Sequence, residues 1–205
     1  RCLLDAGYAV SGYDISAARN SNLTAIGGHA CVDAAEVARQ CDTVVLAVFD
    51  TEQVESLFEG PSHAHLGKRH LVICTSTCDP DRVAALATRA ATRGIRFLEM
   101  PLSGNSDQIA LGNGIGLVGG TRELMEELAP VLGALCKKYY FLGSAGAAGR
   151  GKLAVNLIGG LNRGAAAGGS GSGRTPRSPG SPQRPLPAPA GRARSPRPTG
   201  RRCGH

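Results

Sequence analysis

From Ala165 to His205 the sequence has no Asp, no Glu and no Lys, yet it carries eight Arg. That stretch holds +8; since the formal net charge of the 205-residue chain is +7, residues 1–164 come to −1. The basic character belongs to the tail alone, so overall charge makes no case for nucleic-acid binding by the rest. Cys-x-x-Cys pairs are also absent. The seven cysteines (Cys2, Cys31, Cys41, Cys74, Cys78, Cys136 and Cys203) are odd in number and scattered, with no histidine at matching spacing. Neither a disulfide framework nor a zinc site is expected, and no residue is assigned to a metal. The cysteines read as buried thiols of a reducing compartment, the cytosol or an organelle matrix. His63, His65 and His70 read as part of a surface connection. No run approaches the roughly 18–20 apolar residues of a membrane span, so no membrane partner is expected, and no signal peptide is visible. The first residue is Arg1, not Met, and Arg1 to Gly7 reads as the end of a helix closed by a glycine. The expectation is that more chain precedes it.

What is present is a rhythm of strand and helix, in a chain whose 42% hydrophobic residues suit one good-sized domain. Tyr8 to Asp14 reads as a short strand and Ser16 to Ile26 as a helix. His29 to Val32 reads as a brief strand, followed by a helix capped by Asp33. Thr43 to Val48 is a continuous apolar run of the kind found in central parallel strands. Thr51 is expected to cap a helix through Phe58, Leu71 to Cys74 forms the next strand, and Pro80 starts a helix to Arg93. Further strands are expected at Arg96 to Glu99, Ile115 to Val118 and Lys138 to Leu142, with one helix from Thr121 to about Leu132 despite Pro130. Alternation of this kind implies α/β architecture, a Rossmann-like doubly wound parallel sheet, whose ligands sit at the carboxyl ends of the strands. Asp14, Phe49, Ser76, Thr77, Ser103 and Gly104 all follow strand ends.

The richest stretch runs from Gly143 to Asn156, where a glycine-rich loop enters an apolar helix. Lys152 and Asn156 are four apart, so a helix puts both on one face. Gly146, Gly149 and Gly151 leave room for a backbone or flat ligand to come close. A lysine in a first helical turn, beside Arg150, is pushed toward its neutral form. From Leu161 onward the order decays into Gly, Ser, Pro and Arg without aromatics, a composition that cannot bury a core. The division expected is a nucleotide-binding domain over 1–150, the start of an interdomain helix over 151–164, and a disordered basic tail over 165–205.

Four stretches together carry a resemblance. Tyr13-Asp14 ends a strand, and Ser76-Thr77-Cys78-Asp79-Pro80 is similar to a Ser-Thr-x-x-Pro loop. Glu99-Met-Pro-Leu-Ser-Gly104 is similar to an Asp-Ala-Pro-Val-Ser-Gly-Gly substrate motif, and Gly146 to Asn156 to Gly-x-Gly-x-x-x-Lys-x-x-x-Asn. In this order the chain to about Leu161 resembles the β-hydroxyacid dehydrogenase family, which includes 3-hydroxyisobutyrate dehydrogenase and, more distantly, 6-phosphogluconate dehydrogenase. The resemblance implies hydride transfer between a nicotinamide and a small 3-hydroxy acid. Lys152 would be the acid/base, Asn156 would orient the substrate, and Ser103 and Gly104 would hold its carboxylate. Asp14 would bond the adenine ribose, favouring NAD over NADP because a 2′-phosphate would be repelled. Val48 and Phe49 would flank the adenosine, and Ser76 and Thr77 would line the nicotinamide side. Glu99, Asn105 and Ala148 depart from the family pattern.

The family's first strand, with its Gly-x-Gly-x-x-Gly loop, would lie before Arg1. Its helical C-terminal domain, through which members form dimers or tetramers, would lie where the tail stands. A rival reading is a non-catalytic remnant, an interaction protein working through its basic tail.

Overall fold

A computed structural model describes residues 1–60 and 65–169, with side chains through Asn162. A short helix α1 (Cys2–Asp5) leads into strand β1 (Ser11–Gly12), helix α2 (Ala17–Ala25) and strand β2 (His29–Ala30). β1 and β2 pair in parallel as a small sheet of their own. Helix α3 (Ala34–Gln40) follows, its first turn closed by the Asp33 carboxylate, which accepts from the Glu36 N–H.

The main sheet begins with β3 (Thr43–Leu46), β4 (Leu71–Cys74) and β5 (Arg96–Glu99), all parallel and in register. Helices α4 (Thr51–Glu59) and α5 (Pro80–Thr92) make the crossovers. The cap of α4 is Asp50, which accepts from the Gln53 N–H, and not Thr51. Thr51 is the first helical residue, and its hydroxyl accepts from the Asp79 N–H.

β4 shows why the sheet must be covered on both sides. Its residues are all buried, and they alternate between two cores. Val72 and Cys74 pack with Val54, Phe58, Leu86 and Phe97, while Leu71 and Ile73 pack with Leu98, Val118 and Leu132.

After β5 the expected parallel order changes. β6 (Leu102–Ser103) continues the line of β5 beyond Pro101, and α6 (Ser106–Ala110) turns the chain. β7 (Ile115–Gly119) then returns antiparallel to both, pairing Glu99 with Gly119 and Ser103 with Ile115. The connection is a hairpin, which needs no long crossover. The helix expected from Thr121 is two, α7 (Arg122–Glu127) and α8 (Ala129–Leu135). Pro130, with no N–H to donate, stands in the first turn of the second. β8 (Lys138–Gly143) pairs in parallel with β7.

Helix α9 runs from Ala147 to Gly169, and its last residues belong to the expected tail. Ala165 to Ala167 are strong helix formers. The rest of that tail lies outside the described residues. Along α9, Leu153, Val155, Leu157, Ile158 and Leu161 are exposed. Among the described residues no helix is long and apolar enough to cross a membrane.

His70 is not a surface residue but 1% exposed. Its Nδ1 accepts from the Gly67 N–H at 2.9 Å and its Nε2 lies 2.8 Å from the Ala38 carbonyl, pinning the loop that enters β4. His63 lies outside the described residues.

Candidate functional site at the carboxyl ends of the strands

The side chain that organises the site is Glu99, at the end of β5 and 3% exposed. Its carboxylate accepts from the Ala148 N–H at 2.9 Å and the Gly149 N–H at 3.3 Å. These are orphan donors of the first turn of α9, so Glu99 caps that helix from 49 residues away in sequence. Burial pushes the Glu99 pKa up, against the lowering pull of these backbone donors.

α9 starts at Ala147, with Gly149 and Gly151 inside it, although glycine weakens helix interiors. Close packing explains why they are there. A Cβ on Gly149 would stand 3.3 Å from the Pro80 ring and 3.4 Å from the Glu99 carboxylate. Gly146, at φ +91, would place a Cβ 2.6 Å from the Pro80 carbonyl oxygen. The start of α9 is thereby seated on the start of α5. Gly146→Ala is expected to cost about 1–3 kcal/mol through left-handed strain alone, with the carbonyl clash in addition, read as a lowered urea midpoint. An unchanged midpoint would show that this seat is not rigid.

Because α9 begins so early, Lys152 falls in its second turn, not its first. It is 8% exposed, and its Nζ donates to the Ser103 hydroxyl at 3.1 Å. Its pKa is lowered, and the cause is burial. The helix dipole fades within one turn, and Arg150 is paired with Asp81 at 2.7 Å, so neither of the two causes expected from sequence is the one that acts. Ser103 sits in β6 and Gly104 follows at φ +148, a conformation that favours glycine. Asn105 is the N-cap of α6, in a reciprocal capping box with Gln108. That work accounts for its presence where the family pattern has a second glycine. Asn156 is exposed, one turn beyond Lys152.

The neighbouring loops form a second group. The Ser76 hydroxyl donates to the Val48 carbonyl at 2.6 Å and accepts from the Val48 N–H at 3.0 Å, tying the end of β3 to the end of β4. Phe49 is 88% exposed, and Thr77 is exposed. Cys74 and Cys78 are both buried, and the hydrogen bond with Cys78, then burial, pushes the Cys74 thiol far up.

Asp14 belongs to the small sheet. Its carboxylate accepts from the Ser16 N–H at 2.8 Å and from Arg19 at 3.2 Å, contacts that hold its pKa down, the Ser16 bond first. The side chain keeps 32% of its surface exposed. The structure thus joins Lys152 to Ser103 and Val48 to Ser76, while Asp14 stands with β1. Gly114 to Gly119 has Gly-x-Gly-x-x-Gly spacing, but all of it after Gly114 is β7, with Gly116 against Met100 and Gly119 against Glu99, so it is sheet and not a phosphate loop.

Parallel strands joined by helical crossovers, with an acidic residue beyond the end of the first, have the form of a dinucleotide-binding domain of Rossmann type. Residues 1–143 match the NAD binding domain of 6-phosphogluconate dehydrogenase, and the chain belongs to that family, on its β-hydroxyacid dehydrogenase branch. The L-threonate dehydrogenase of Cupriavidus necator is 32% identical over 168 residues, covering 80% of this chain and 57% of that protein. The cytokine-like nuclear factor N-PAC of Xenopus tropicalis is 33% identical over 158 residues, covering 76% of this chain and 30% of that one. Among solved structures, the 3-hydroxyisobutyrate dehydrogenase of Salmonella typhimurium aligns with a TM-score of 0.74 at 27% identity, over 82% of this chain and 60% of that one. The chain therefore spans little more than half the length of its dehydrogenase relatives, and the family model it matches is that of an NAD binding domain.

Proposed function

We propose that the chain is the nucleotide-binding part of an NAD-dependent dehydrogenase acting on a small 3-hydroxy acid, with Lys152 as its acid/base. The observation that carries this reading is a buried lysine of lowered pKa whose Nζ lies 3.1 Å from Ser103. Bound NAD supplies the hydride acceptor. As the carbinol C–H bond breaks, the neutral Lys152 amine takes the hydroxyl proton while the C=O bond forms; in reduction the ammonium returns it. Ser103 and Gly104 receive the substrate carboxylate, the former as a hydroxyl donor beside Lys152. Asn156, on the same face of α9, orients the substrate.

Asp14 fits the adenosine end of the cofactor, because its carboxylate is ionised, partly exposed and held in place by Ser16. Val48 and Phe49 flank the adenosine, and Ser76 and Thr77 border the nicotinamide. A second reading, an interaction protein that has kept the fold without the turnover, draws support from the nuclear factor among its relatives.

Titration of the chain with NADH and with NADPH, followed by nicotinamide fluorescence, separates the two. Saturable binding that favours NADH is expected, weakened on the order of 10- to 100-fold by Asp14→Ala, the value of hydrogen bonds to a charged group. Equal binding of both cofactors would remove the role given to Asp14, and no binding of either would leave the second reading.

A further inference from the structure

Beyond the dehydrogenase reading, and independent of it, the far end of the small sheet gathers a set of side chains with another chemistry. His29 opens β2 and Cys31 follows its end, two residues apart, so the pleat puts both on one face. Cys31 keeps the ladder, its N–H donating to the Gly12 carbonyl at 2.8 Å. Glu36 stands in the first turn of α3 and reaches back over the cap, its Oε2 accepting from the Val32 N–H at 2.7 Å. The strand and the capping turn thus aim one imidazole, one thiol and one carboxylate at a common point, with ligand atoms all within 4.8 Å of one another. We propose that His29, Cys31 and Glu36 form a divalent metal site, of zinc type.

The donor set favours that ion. One sulfur, one nitrogen and one oxygen suit a borderline-soft cation, and three protein ligands leave a fourth tetrahedral position for water. Tetrahedral zinc needs ligand atoms about 3.5 Å apart, given bonds of about 2.0–2.3 Å. Closing from 4.8 Å calls on the exposed His29 and the half-buried Glu36 to move, while Cys31, 4% exposed, stays fixed.

The Glu36 cap does not use up the carboxylate. Oε2 takes the Val32 N–H and Oε1 the Gln40 side chain at 3.0 Å, and each oxygen keeps a second lone pair. Without metal the Cys31 thiol donates to Gln40 at 3.8 Å. Burial, then the charges of Glu36, Cys41 and Asp33, keeps that proton on. Binding passes the thiol proton to solvent and forms the metal–sulfur bond. The ion would clip β2 to α3 at the end of a sheet that is only two residues deep on each strand.

The test uses the full chain, reduced and stripped by chelator, titrated with Co²⁺ and then Zn²⁺. The expected result is a near-ultraviolet thiolate-to-cobalt band that saturates at one ion per chain and is erased by Zn²⁺. The band is expected to vanish in Cys31→Ser, and metal affinity to fall roughly tenfold or more in His29→Ala and in Glu36→Gln. Glu36→Gln keeps an oxygen for Val32 and so keeps the cap; these two variants carry the test if Cys31→Ser does not fold. Cys203→Ser, in the tail, is expected to retain the band. No band, a band that survives Cys31→Ser or is lost with Cys203→Ser, or wild-type affinity in both His29→Ala and Glu36→Gln would overturn the proposal.

Discussion

Lys152→Met is expected to lower kcat for a small 3-hydroxy acid by about 10²- to 10⁴-fold, the range that a positioned acid/base contributes, while NADH binding persists. Methionine fills a similar volume without a titratable group, so lost turnover with retained cofactor binding separates chemistry from folding. Lys152→Arg keeps the cation but cannot shed its proton, and it is expected to be as inactive in oxidation as the methionine variant. The pH dependence follows from burial. Oxidation requires the neutral amine, so its rate should rise with pH through a midpoint below 10.5, the ordinary value from which burial lowers this lysine, and level off above that midpoint. Reduction requires the ammonium and should fall over the same interval. Steady-state assays of both directions check this, and wild-type kcat in either variant would end the assignment.

Glu99→Ala is expected to destabilise the fold by about 2–6 kcal/mol. The N–H groups of Ala148 and Gly149 are buried, and losing their acceptor leaves each to bear about 1–3 kcal/mol of unmet hydrogen bonding. Urea denaturation measures the loss, and a shift below about 1 kcal/mol would show that water replaces the carboxylate. The pH dependence has a definite sign. The folded pKa of Glu99 is raised above 4.5 by burial, so in the window above 4.5 the folded state holds more protons than the unfolded state. Its contribution to stability is therefore greatest at low pH and is lost as pH rises through the raised folded pKa. Glu99→Gln keeps an acceptor but cannot titrate, and should flatten this part of the stability profile.

These two residues differ in how readily the sequence shows them. Lys152 announces itself locally, as one lysine after a run of glycines. Glu99 carries its partners 49 residues away, so its spacing matches a substrate motif while its role as a cap depends on tertiary contact. β4 is legible because a four-residue apolar run can be buried on both faces only inside a covered sheet. The direction of β7 is not, since Ile115 to Gly119 has the same composition whether it runs parallel or antiparallel; the hairpin through α6 decides it. Pro130 carried the right signal for a break between α7 and α8, but it needed Leu128 as the point of division. His29, Cys31 and Glu36 match no ligand spacing because a strand period and a capping turn converge in space and not along the chain.

α9 is held by Glu99 at one end, yet its later turns present Leu153, Val155, Leu157, Ile158 and Leu161 to water. Lys152 lies between the two regimes, and burial is what lowers its pKa. This chain's own packing dries the amine at the root of the helix, while the greasy turns beyond it stay in water. One rod thus carries a dry end and a wet one, and the lysine marks where the first gives way to the second.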